Sequence, residues 1–537
     1  MRKNKIRTVL SIAMIAVMTT SLIACGNKSN KNVTVYSDVS FPMEETATLT
    51  MLTSAPAISE QNPNNRLIFK RLQEKTNVEI EWTCYPDDQY GDKKSLALSK
   101  KDTLPDVVFN AGMSNYDLLR YSKQGVIIAL EDLIDQYMPN LSKILEENPE
   151  YRKMITAPDG HIYSFPWIEE LGSGKEAIQA VGDMPFINKK WLDELGLEVP
   201  TTTDELVEVL RAFRDKNPEG RTDVIPMTFI MNGGDQDPAI LLGAFGEGDN
   251  ADHYIVTNDK KVIYSTVQEG YKQGISWLHS LQEEGLIDPE AFTQDWATYV
   301  SKGNTGRYGM FFTWDASNIV INPEDYIPLP ALAGPDGNVN VPRSNGAGLE
   351  VGRCVVTTAN KNLELTAKWI DELYDPLQSI QDNWGTYGDE QNQNIFELKE
   401  DGTLSHLSLG DSSPWEVRVN QNVGGPLAIL DEYYGKYTTC PDDAQERLDI
   451  LHKIYVKDMK AEYNYPVLLM TQEDIELLTQ YETAVRQYTD RKRAEWVLNG
   501  GIEKEWNSYL EEMEKLGLSK MLEIKQKYLD EYFKQWL

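Results

Sequence analysis

The first folded stretch of the chain alternates between a strand pattern and a helix pattern of apolar residues. ATLTML (residues 47–52) alternates as a strand, and NRLIFKRLQEKTN (65–77) repeats apolar residues at helical spacing. VEIEW (78–82) is again strand-like, and LPDVVFN (104–110) is a short apolar run typical of a buried parallel strand. This βαβαβ order predicts an open, doubly wound α/β lobe. Ligands of such sheets bind at the carboxyl ends of strands, so we expect Asn110 to lie at a ligand cleft.

The pattern further along the chain predicts a second lobe. APDGHIYSFPWIEE (157–170) combines a Pro-Asp-Gly turn, a short strand and a Phe-Pro pair, which is typical of a crossing between lobes. A new helix is predicted in PTTTDELVEVLRAF (200–213), where Thr202 and Glu205 have capping-box spacing. From about residue 441 to the end the pattern is almost wholly helical.

The first residues have the pattern of a secretory signal. A basic start precedes an apolar run over 9–23, which serines and threonines interrupt. It is too short for a membrane-spanning helix, which needs about 20 apolar residues. The run ends in Leu-Ile-Ala-Cys, and small residues before such a cysteine resemble the bacterial lipobox. The sequence therefore predicts a signal peptide over 1–24, lipidation of Cys25 and a polar tether over 25–45. The alternative is an ordinary cleaved signal with a chance cysteine.

Length and charge narrow the class of protein. The chain has 537 residues and a formal net charge of −32. That length favours two or more lobes over one core. Such an acidic chain repels phosphate backbones and anionic lipid, which argues against a nucleic-acid partner. Cys84, Cys354 and Cys440 form no C-x-x-C motif, so buried free thiols are favoured over a disulfide scaffold.

Motifs for catalysis are incomplete or absent from the sequence. LGSGKEA (171–177) resembles a phosphate loop, but a Walker A motif requires Gly at Glu169 and Ser or Thr at Glu176. Neither H-E-x-x-H nor G-x-S-x-G occurs, and the five histidines lack metal-ligand spacing. The sequence predicts no enzymatic activity and no required cofactor. A glycosidase-type carboxylate pair among the 84 acidic residues stays open as an alternative.

The aromatic residues point to a sugar ligand. The chain has 12 Trp and 27 Tyr, and these side chains combine an apolar face with a hydrogen-bonding group. A sugar ring has matching C–H faces and hydroxyl edges. Several aromatic residues stand beside polar residues in loop-like contexts, namely Trp167, Trp314, Trp384, Tyr387 and Trp415. Stacking in the cleft and simple packing are about equally supported for any one of these tryptophans.

Blocks spread along the whole chain carry a family resemblance. Besides the lipobox, these blocks are LPDVVFNAG, YSKQGVIIALEDLIDQYMPNL, ITAPDGHIYSFP, INKKWLDELGLEVPTTTDELVEVLRAF, GRYGMFFTWDASN, YIPLPALAGPDGN and VLNGGIEKEWNSYLEEMEKLGLSKMLEIKQKYLDEY. With them the chain resembles the family 1 extracellular solute-binding lipoproteins of carbohydrate ABC importers, in the long form common in Gram-positive bacteria. The order and number of the blocks indicate the family but no particular ligand.

The resemblance implies a two-lobed, periplasmic-binding-protein-like α/β fold of type II that closes on its ligand by a hinge motion. The implied monomer captures an oligosaccharide between the lobes and delivers it to the membrane subunits of an ABC permease. We expect lobe 1 over 46–163 with a return near 326–376, and lobe 2 over 164–325 with a return near 377–440. Residues 441–537 are then a helical region packed on both lobes.

The resemblance also implies that residues at strand ends and in loops of both lobes line the site. The predicted ligand-binding residues are Asn110, Trp167, Trp314, Asp315, Trp384, Tyr387 and Trp415. The tryptophans would stack on sugar rings, while Asp315 and Asn110 would bond hydroxyl groups. Two alternatives stay open, namely a surface enzyme that degrades polysaccharides and a binding protein for a non-sugar solute.

DKNPEGRTDVIP (215–226) lies where some uronate-binding members of this family carry a calcium loop. Acid or amide oxygens recur at alternate positions around one glycine, as in an EF-hand. The predicted calcium ligands are Asp215, Asn217, Glu219, Arg221 through its carbonyl, and Asp223. Glu219 and Val224 depart from the motif, and Val224 replaces a strong ligand. A vestigial site, or a turn that only ends the preceding helix at Pro218, is the alternative.

Overall fold

The computed structural model describes residues 34–37, 39–172, 176–410 and 412–536. For residues 535 and 536 it describes the backbone alone. The predicted signal peptide over 1–24, the lipidation site Cys25 and the start of the tether lie outside the described residues. Within the described ranges, no helix has the length and apolarity that crossing a membrane requires.

The strands form two main sheets and two small hairpins. Their bounds are β1 Ala47–Ala55, β2 Val78–Pro86, β3 Val107–Val108, β4 Phe165–Glu169, β5 Met184–Asn188, β6 Tyr254–Val256, β7 Val262–Tyr264, β8 Met310–Thr313, β9 Tyr326–Pro328, β10 Leu349–Val356, β11 Phe396–Leu398, β12 Leu404–His406 and β13 Leu427–Ile429. The larger sheet has six strands in the order β13-β4-β10-β3-β1-β2.

The predicted βαβαβ start is confirmed in the six-stranded sheet. β1 runs parallel to β2 from the pair Ala47 and Val78 to the pair Ala55 and Pro86, and it also runs parallel to β3. The alternate residues that predicted β1 are fully buried, as expected for a strand with a core on one face. β3 is buried on both faces, and Asn110 follows it at its carboxyl end.

The strand pairings differ from the predicted lobe ranges at two points. β4 pairs with β10 in antiparallel and with β13 in parallel, so both β4 and β13 belong to the six-stranded sheet. The predicted lobe ranges place the residues of these two strands, within 164–325 and 377–440, in the second lobe. A short buried strand has no alternation that would indicate its partner, so its sheet is decided by packing.

The second main sheet is small and antiparallel, in the order β8-β5-β9. All five residues of β5 and all four of β8 are buried. Helices enclose this sheet in one large apolar core, which also takes in residues of the C-terminal helices such as Trp496 and Trp506. The β6–β7 and β11–β12 hairpins lie outside the two main sheets.

The helix bounds are α1 Leu67–Thr76, α2 Asp87–Leu98, α3 Asn115–Lys123, α4 Glu131–Tyr137, α5 Pro139–Glu147, α6 Pro149–Ile155, α7 Lys189–Leu195, α8 Thr203–Lys216, α9 Glu269–Glu283, α10 Trp296–Gly303, α11 Leu363–Asp371, α12 Pro376–Trp384, α13 Pro414–Val419, α14 Asp442–Ile450, α15 Gln472–Asn499, α16 Ile502–Lys515 and α17 Leu518–Trp536. The predicted capping box is confirmed at the start of α8, where Thr202 and Glu205 cap each other. The mainly helical C-terminal region is confirmed too, with a π turn over Leu451–Tyr455 directly after α14.

The cysteines are free thiols in the described residues. Cys354 lies buried in β10, as predicted, whereas Cys84 and Cys440 are half-buried.

Candidate functional site

A cavity of about 890 Å³ lies between the second sheet and the segment that leads into β13. That volume is within the range of about 300–1,000 Å³ usual for small-molecule sites. One wall is formed by residues that follow β8 and precede β9, and a second by the end of the β11–β12 hairpin and by α13. Helix α14 closes a third side. The cavity therefore lies beside the β8-β5-β9 sheet, and its place between the two lobes stays a prediction.

Trp314 and Asp315 line this cavity, side by side after β8. Both side chains are half-buried. Asp315 Oδ1 accepts hydrogen bonds from Ser317 N at 2.8 Å and from Ser317 Oγ at 2.6 Å, so the carboxylate caps the short turn that follows. The indole of Trp314 has the guanidinium of Arg447 3.4 Å from its ring centroid. A tryptophan held from one side can offer its other face to a ligand ring.

The cavity is rich in hydrogen-bond acceptors. Its carboxylates belong to Asp315, Glu324, Glu416, Asp442, Asp443 and Glu446. Burial, reinforced by Asp315 and Asp443, raises the pKa of Glu446 above its ordinary value. Burial and the charge of Arg418 lower the pKa of His406 to about 3, so this imidazole is neutral at physiological pH. Such a lining suits a neutral ligand with many hydroxyl donors and disfavours a polyanion.

Two more of the predicted tryptophans lie near the cavity without being part of its lining. Trp384, at the end of α12, is half-buried, and the guanidinium of Arg418 lies 4.7 Å from its ring centroid. Trp415 is 44% exposed and lies between Pro414 and Glu416, both of which line the cavity.

The other predicted ligand residues gather around different arginines. Asn110 Oδ1 accepts a hydrogen bond of 2.6 Å from Arg353 Nη1, and the same guanidinium lies 5.8 Å from the ring of Trp167. Tyr387 lies under the guanidinium of Arg71, at 4.3 Å. Asn110, Trp167 and Tyr387 are not part of the cavity lining. The structure thus forms two groups, Trp314 with Asp315 in the cavity and Asn110 with Trp167 on the six-stranded sheet, and ligand contact by any of them stays a prediction.

Several cavity residues were missed from the sequence, and they share a simple property. Each is a charged or titratable residue in a helix or hairpin with no motif around it, namely His406, Arg418, Asp443, Glu446 and Arg447. Arg418 follows Trp415 within α13, which was the sole hint in the sequence. Charged residues on a helix are usually solvated, so their spacing gave no reason to select them.

The predicted calcium loop follows α8, and its acidic side chains already have cationic partners. Asp215 accepts hydrogen bonds from Arg214 at 2.7 and 3.0 Å, which lowers the pKa of Asp215 below its ordinary value. Arg221 Nη2 donates to Asp223 Oδ2 at 3.1 Å. Asn217 ends α8 in the left-handed conformation, with a φ of 49°.

Glu219, at the fifth position of the loop, is also engaged. Its carboxylate accepts a hydrogen bond of 2.8 Å from the indole of Trp191 and pairs with Lys190 at 2.6 Å. No group of three or more His, Cys, Asp or Glu side chains among the described residues is placed to hold a metal ion. In this arrangement the loop residues form the turn that ends α8, and calcium binding by Asp215, Asn217, Glu219, Arg221 and Asp223 stays a prediction.

Comparison with known proteins assigns the family. Residues 59–380 match the model of the bacterial extracellular solute-binding proteins. The chain is 51% identical over 529 residues to the fructooligosaccharide ABC transporter substrate-binding protein FusA of Streptococcus pneumoniae, covering 98% of this chain and 97% of that protein. It is also 25% identical over 375 residues to the lipoprotein LipO of Bacillus subtilis, covering 67% of this chain and 70% of that protein.

Solved structures agree with the sequence match. The S. pneumoniae FusA structure in complex with kestose superimposes with a TM-score of 0.89 at 52% identity, covering 91% of this chain and all of that one. A second structure of FusA, with the same coverage and TM-score, is described as an EF-hand mutant in complex with fructo-nystose. The two-lobed type II fold predicted from the sequence is confirmed by these neighbours. The chain belongs to the bacterial extracellular solute-binding protein family.

Proposed function

We propose that this protein captures a neutral fructo-oligosaccharide in the cavity beside Trp314 and delivers it to an ABC permease. The observation that carries the proposal is that the half-buried Trp314 and six carboxylate side chains line the same cavity, whose volume suits a small ligand. The identity of 51% to a fructooligosaccharide-binding protein over nearly the full length supports the same ligand class.

The ligand is best tested by measuring binding and turnover together. We expect kestose and nystose to raise the melting temperature of the purified mature protein and to leave the sugars intact, since a ligand that binds only the native state stabilises it. A maltotriose and an alginate trisaccharide serve as neutral and anionic controls. Hydrolysis of either fructan would support the enzyme alternative, and a shift produced by non-sugar solutes alone would overturn the sugar assignment.

We infer that capture closes the two lobes over the cavity. One lobe comprises the six-stranded sheet, including β4 and β13, and the other comprises the β8-β5-β9 sheet. Residues 441–537 share the apolar core of the second lobe. Because a ligand shifts a conformational equilibrium only through its higher affinity for one state, small-angle scattering with and without kestose should show a smaller radius for the liganded form.

Anchoring, oligomeric state and metal dependence are further parts of the proposal. We propose lipid attachment at Cys25 to the outer face of the cytoplasmic membrane of a Gram-positive cell, and a monomeric mature protein. A Cys25→Ser variant should appear in the medium instead of the membrane fraction. Sugar binding is proposed to need no metal, because the loop over 215–226 is not part of the cavity lining. A calcium ion held by that loop would be structural, and the description of a FusA structure as an EF-hand mutant supports such a site.

A further inference from the structure

Helix α14 lies beside the cavity and holds two arginine–tryptophan stacks. Its residues Asp443 and Arg447 are four positions apart, so they lie on the same face of the helix, and both line the cavity. Arg447 contacts Trp314 directly, and Asp443 holds the arginine that contacts Trp384.

The first stack is built on a buried guanidinium. Arg447 is 2% exposed, and its guanidinium lies 3.4 Å from the centroid of Trp314. Its Nη1 donates a hydrogen bond of 2.6 Å to the backbone carbonyl of Trp314, and its other nitrogens donate to the carbonyls of Ile178 and Val181. One side chain thus fixes the backbone and the ring of Trp314 together, and ties both to the segment that enters β5.

The second stack is built on a bidentate ion pair. Asp443 accepts hydrogen bonds from Arg418 Nη1 at 2.7 Å and Nη2 at 2.6 Å. This fork fixes the plane of the guanidinium, which lies 4.7 Å from the ring of Trp384. Arg418 is part of the cavity lining and Trp384 is not, so in this stack the arginine, and not the tryptophan, faces the cavity.

The two stacks make the shape of the cavity depend on α14. An indole has freedom about two side-chain bonds, and a ring that turns loses its stacking contact with a sugar. A planar guanidinium held by several acceptors removes that freedom before the ligand arrives, which lowers the entropy cost of binding. Helix α14 lies beyond residues 59–380, the span matched by the family model.

We propose that Asp443 and Arg447 are positioning residues of the sugar site, which hold Arg418 and Trp314 in the orientation that binds ligand. The proposal rests on the sugar-binding function proposed above. The proposal assigns part of the affinity for the oligosaccharide to the C-terminal region. From the sequence, this region was expected only to be helical and to pack on the lobes.

The test compares Arg447→Lys and Asp443→Asn with two matched controls in a kestose titration by calorimetry. Lysine keeps the charge but loses the planar stack, so we expect Arg447→Lys to weaken kestose binding by about tenfold, or about 1.4 kcal/mol. Asp443→Asn should weaken it by several-fold. Arg493→Lys alters a guanidinium that is also 2% exposed but is bonded to Asp237, away from the cavity, and should lower only the melting temperature. Asp135→Asn breaks an exposed bidentate pair with Arg152 and should change neither quantity.

A double-mutant cycle separates positioning from general destabilisation. If Arg447 acts through Trp314, Arg447→Lys should cost little further affinity in a Trp314→Ala background. The reason is that the free-energy changes of mutations at coupled residues are not additive. Additive losses in the cycle would overturn the proposal, and so would kestose affinities within twofold of the wild type for both α14 variants. A wild-type protein that fails to bind kestose would instead contradict the proposed ligand, which keeps the two failures distinct.

Discussion

Two buried arginines of the C-terminal region, Arg447 and Arg493, have the same exposure and opposite surroundings. Each is 2% exposed. Arg493 of α15 donates to both carboxylate oxygens of Asp237, at 2.8 and 2.6 Å. Arg447 of α14 donates to backbone carbonyls, and no carboxylate within ion-pair distance of it occurs among the described residues.

The surroundings shift the pKa values of the two guanidinium groups in opposite directions. Although burial alone lowers the pKa of Arg493, the facing Asp237 raises it above the ordinary value. Burial lowers the pKa of Arg447 to about 10, and the more distant carboxylates do not offset this. The charge of Arg493 is therefore neutralised by Asp237, and this ion pair attaches α15 to the second lobe. The charge of Arg447 is not neutralised in this way and lies beside the cavity. Equal burial does not imply an equal role.

The largest expected effect comes from breaking the Arg493 pair. Arg493→Met leaves Asp237, which is 4% exposed, without its cation, and unfolding by urea should show a loss of about 3–5 kcal/mol. Kestose affinity of the folded fraction should be unchanged. The double variant Arg493→Met/Asp237→Asn should recover part of the stability. A loss below about 1 kcal/mol in the single variant would contradict the stabilising role of this ion pair.

Glu169 is a buried carboxylate for which the described residues provide no ion pair, so it extends the comparison of the two arginines to a group of opposite charge. Glu169, at the end of β4, accepts a hydrogen bond of 2.8 Å from Tyr434, and burial raises its pKa from the ordinary 4.5 to about 7. The folded state thus holds this proton more tightly than the unfolded state. Stability from this group is fully present below pH 4.5 and falls as the pH rises to about 7.

Replacing Glu169 should remove that pH dependence. Glu169→Gln cannot ionise, so we expect its unfolding free energy to exceed that of the wild type by up to about 3 kcal/mol at pH 8 and to match it near pH 4.5. Urea titrations at both pH values measure this. Glu208→Gln, whose carboxylate is 73% exposed, is the control. A difference between Glu169→Gln and the wild type that is the same at both pH values would show that the carboxyl does not titrate as stated.

Removing the ring that Arg447 supports should weaken binding without unfolding the protein. We expect Trp314→Ala to reduce kestose affinity by roughly 1–3 kcal/mol, by analogy with aromatic stacking on nucleobases. Trp296→Ala, at a ring that is 38% exposed and is not part of the cavity lining, should leave affinity unchanged. Equal affinities for the wild type and Trp314→Ala in calorimetry would remove Trp314 from the site.

The smallest effect is expected where arginines pair with exposed acids. The carboxylate of Asp215 is 59% exposed, and exposed pairs contribute little to stability. If the loop over 215–226 is only the turn that ends α8, neither millimolar calcium nor a chelator should shift the melting temperature, and Asp215→Ala should leave it unchanged. A saturable stabilisation by calcium that disappears in Asp215→Ala would instead establish a metal site in the loop.

Part of the candidate site could be predicted from the sequence. Trp314 and Asp315 follow a strand and lie in the cavity, and Asn110 lies at the carboxyl end of β3 as expected. The neighbours of these residues could not be predicted, because Arg447 and Trp314 are 133 positions apart and nothing local in either segment indicates the other. The same holds for Asn110 and Arg353, which are 243 positions apart.

The sequence by itself determined the features that depend on neighbouring residues. Hydrophobic period predicted β1, α1 and β2, and the capping pair of Thr202 and Glu205 predicted the start of α8. These features follow from hydrogen bonds and burial within a few residues. The tertiary structure alone decided that β4 and β13 join the six-stranded sheet and that α14 places Arg447 behind Trp314. Those contacts join distant segments, and their free energy depends on which surfaces the folded chain brings together.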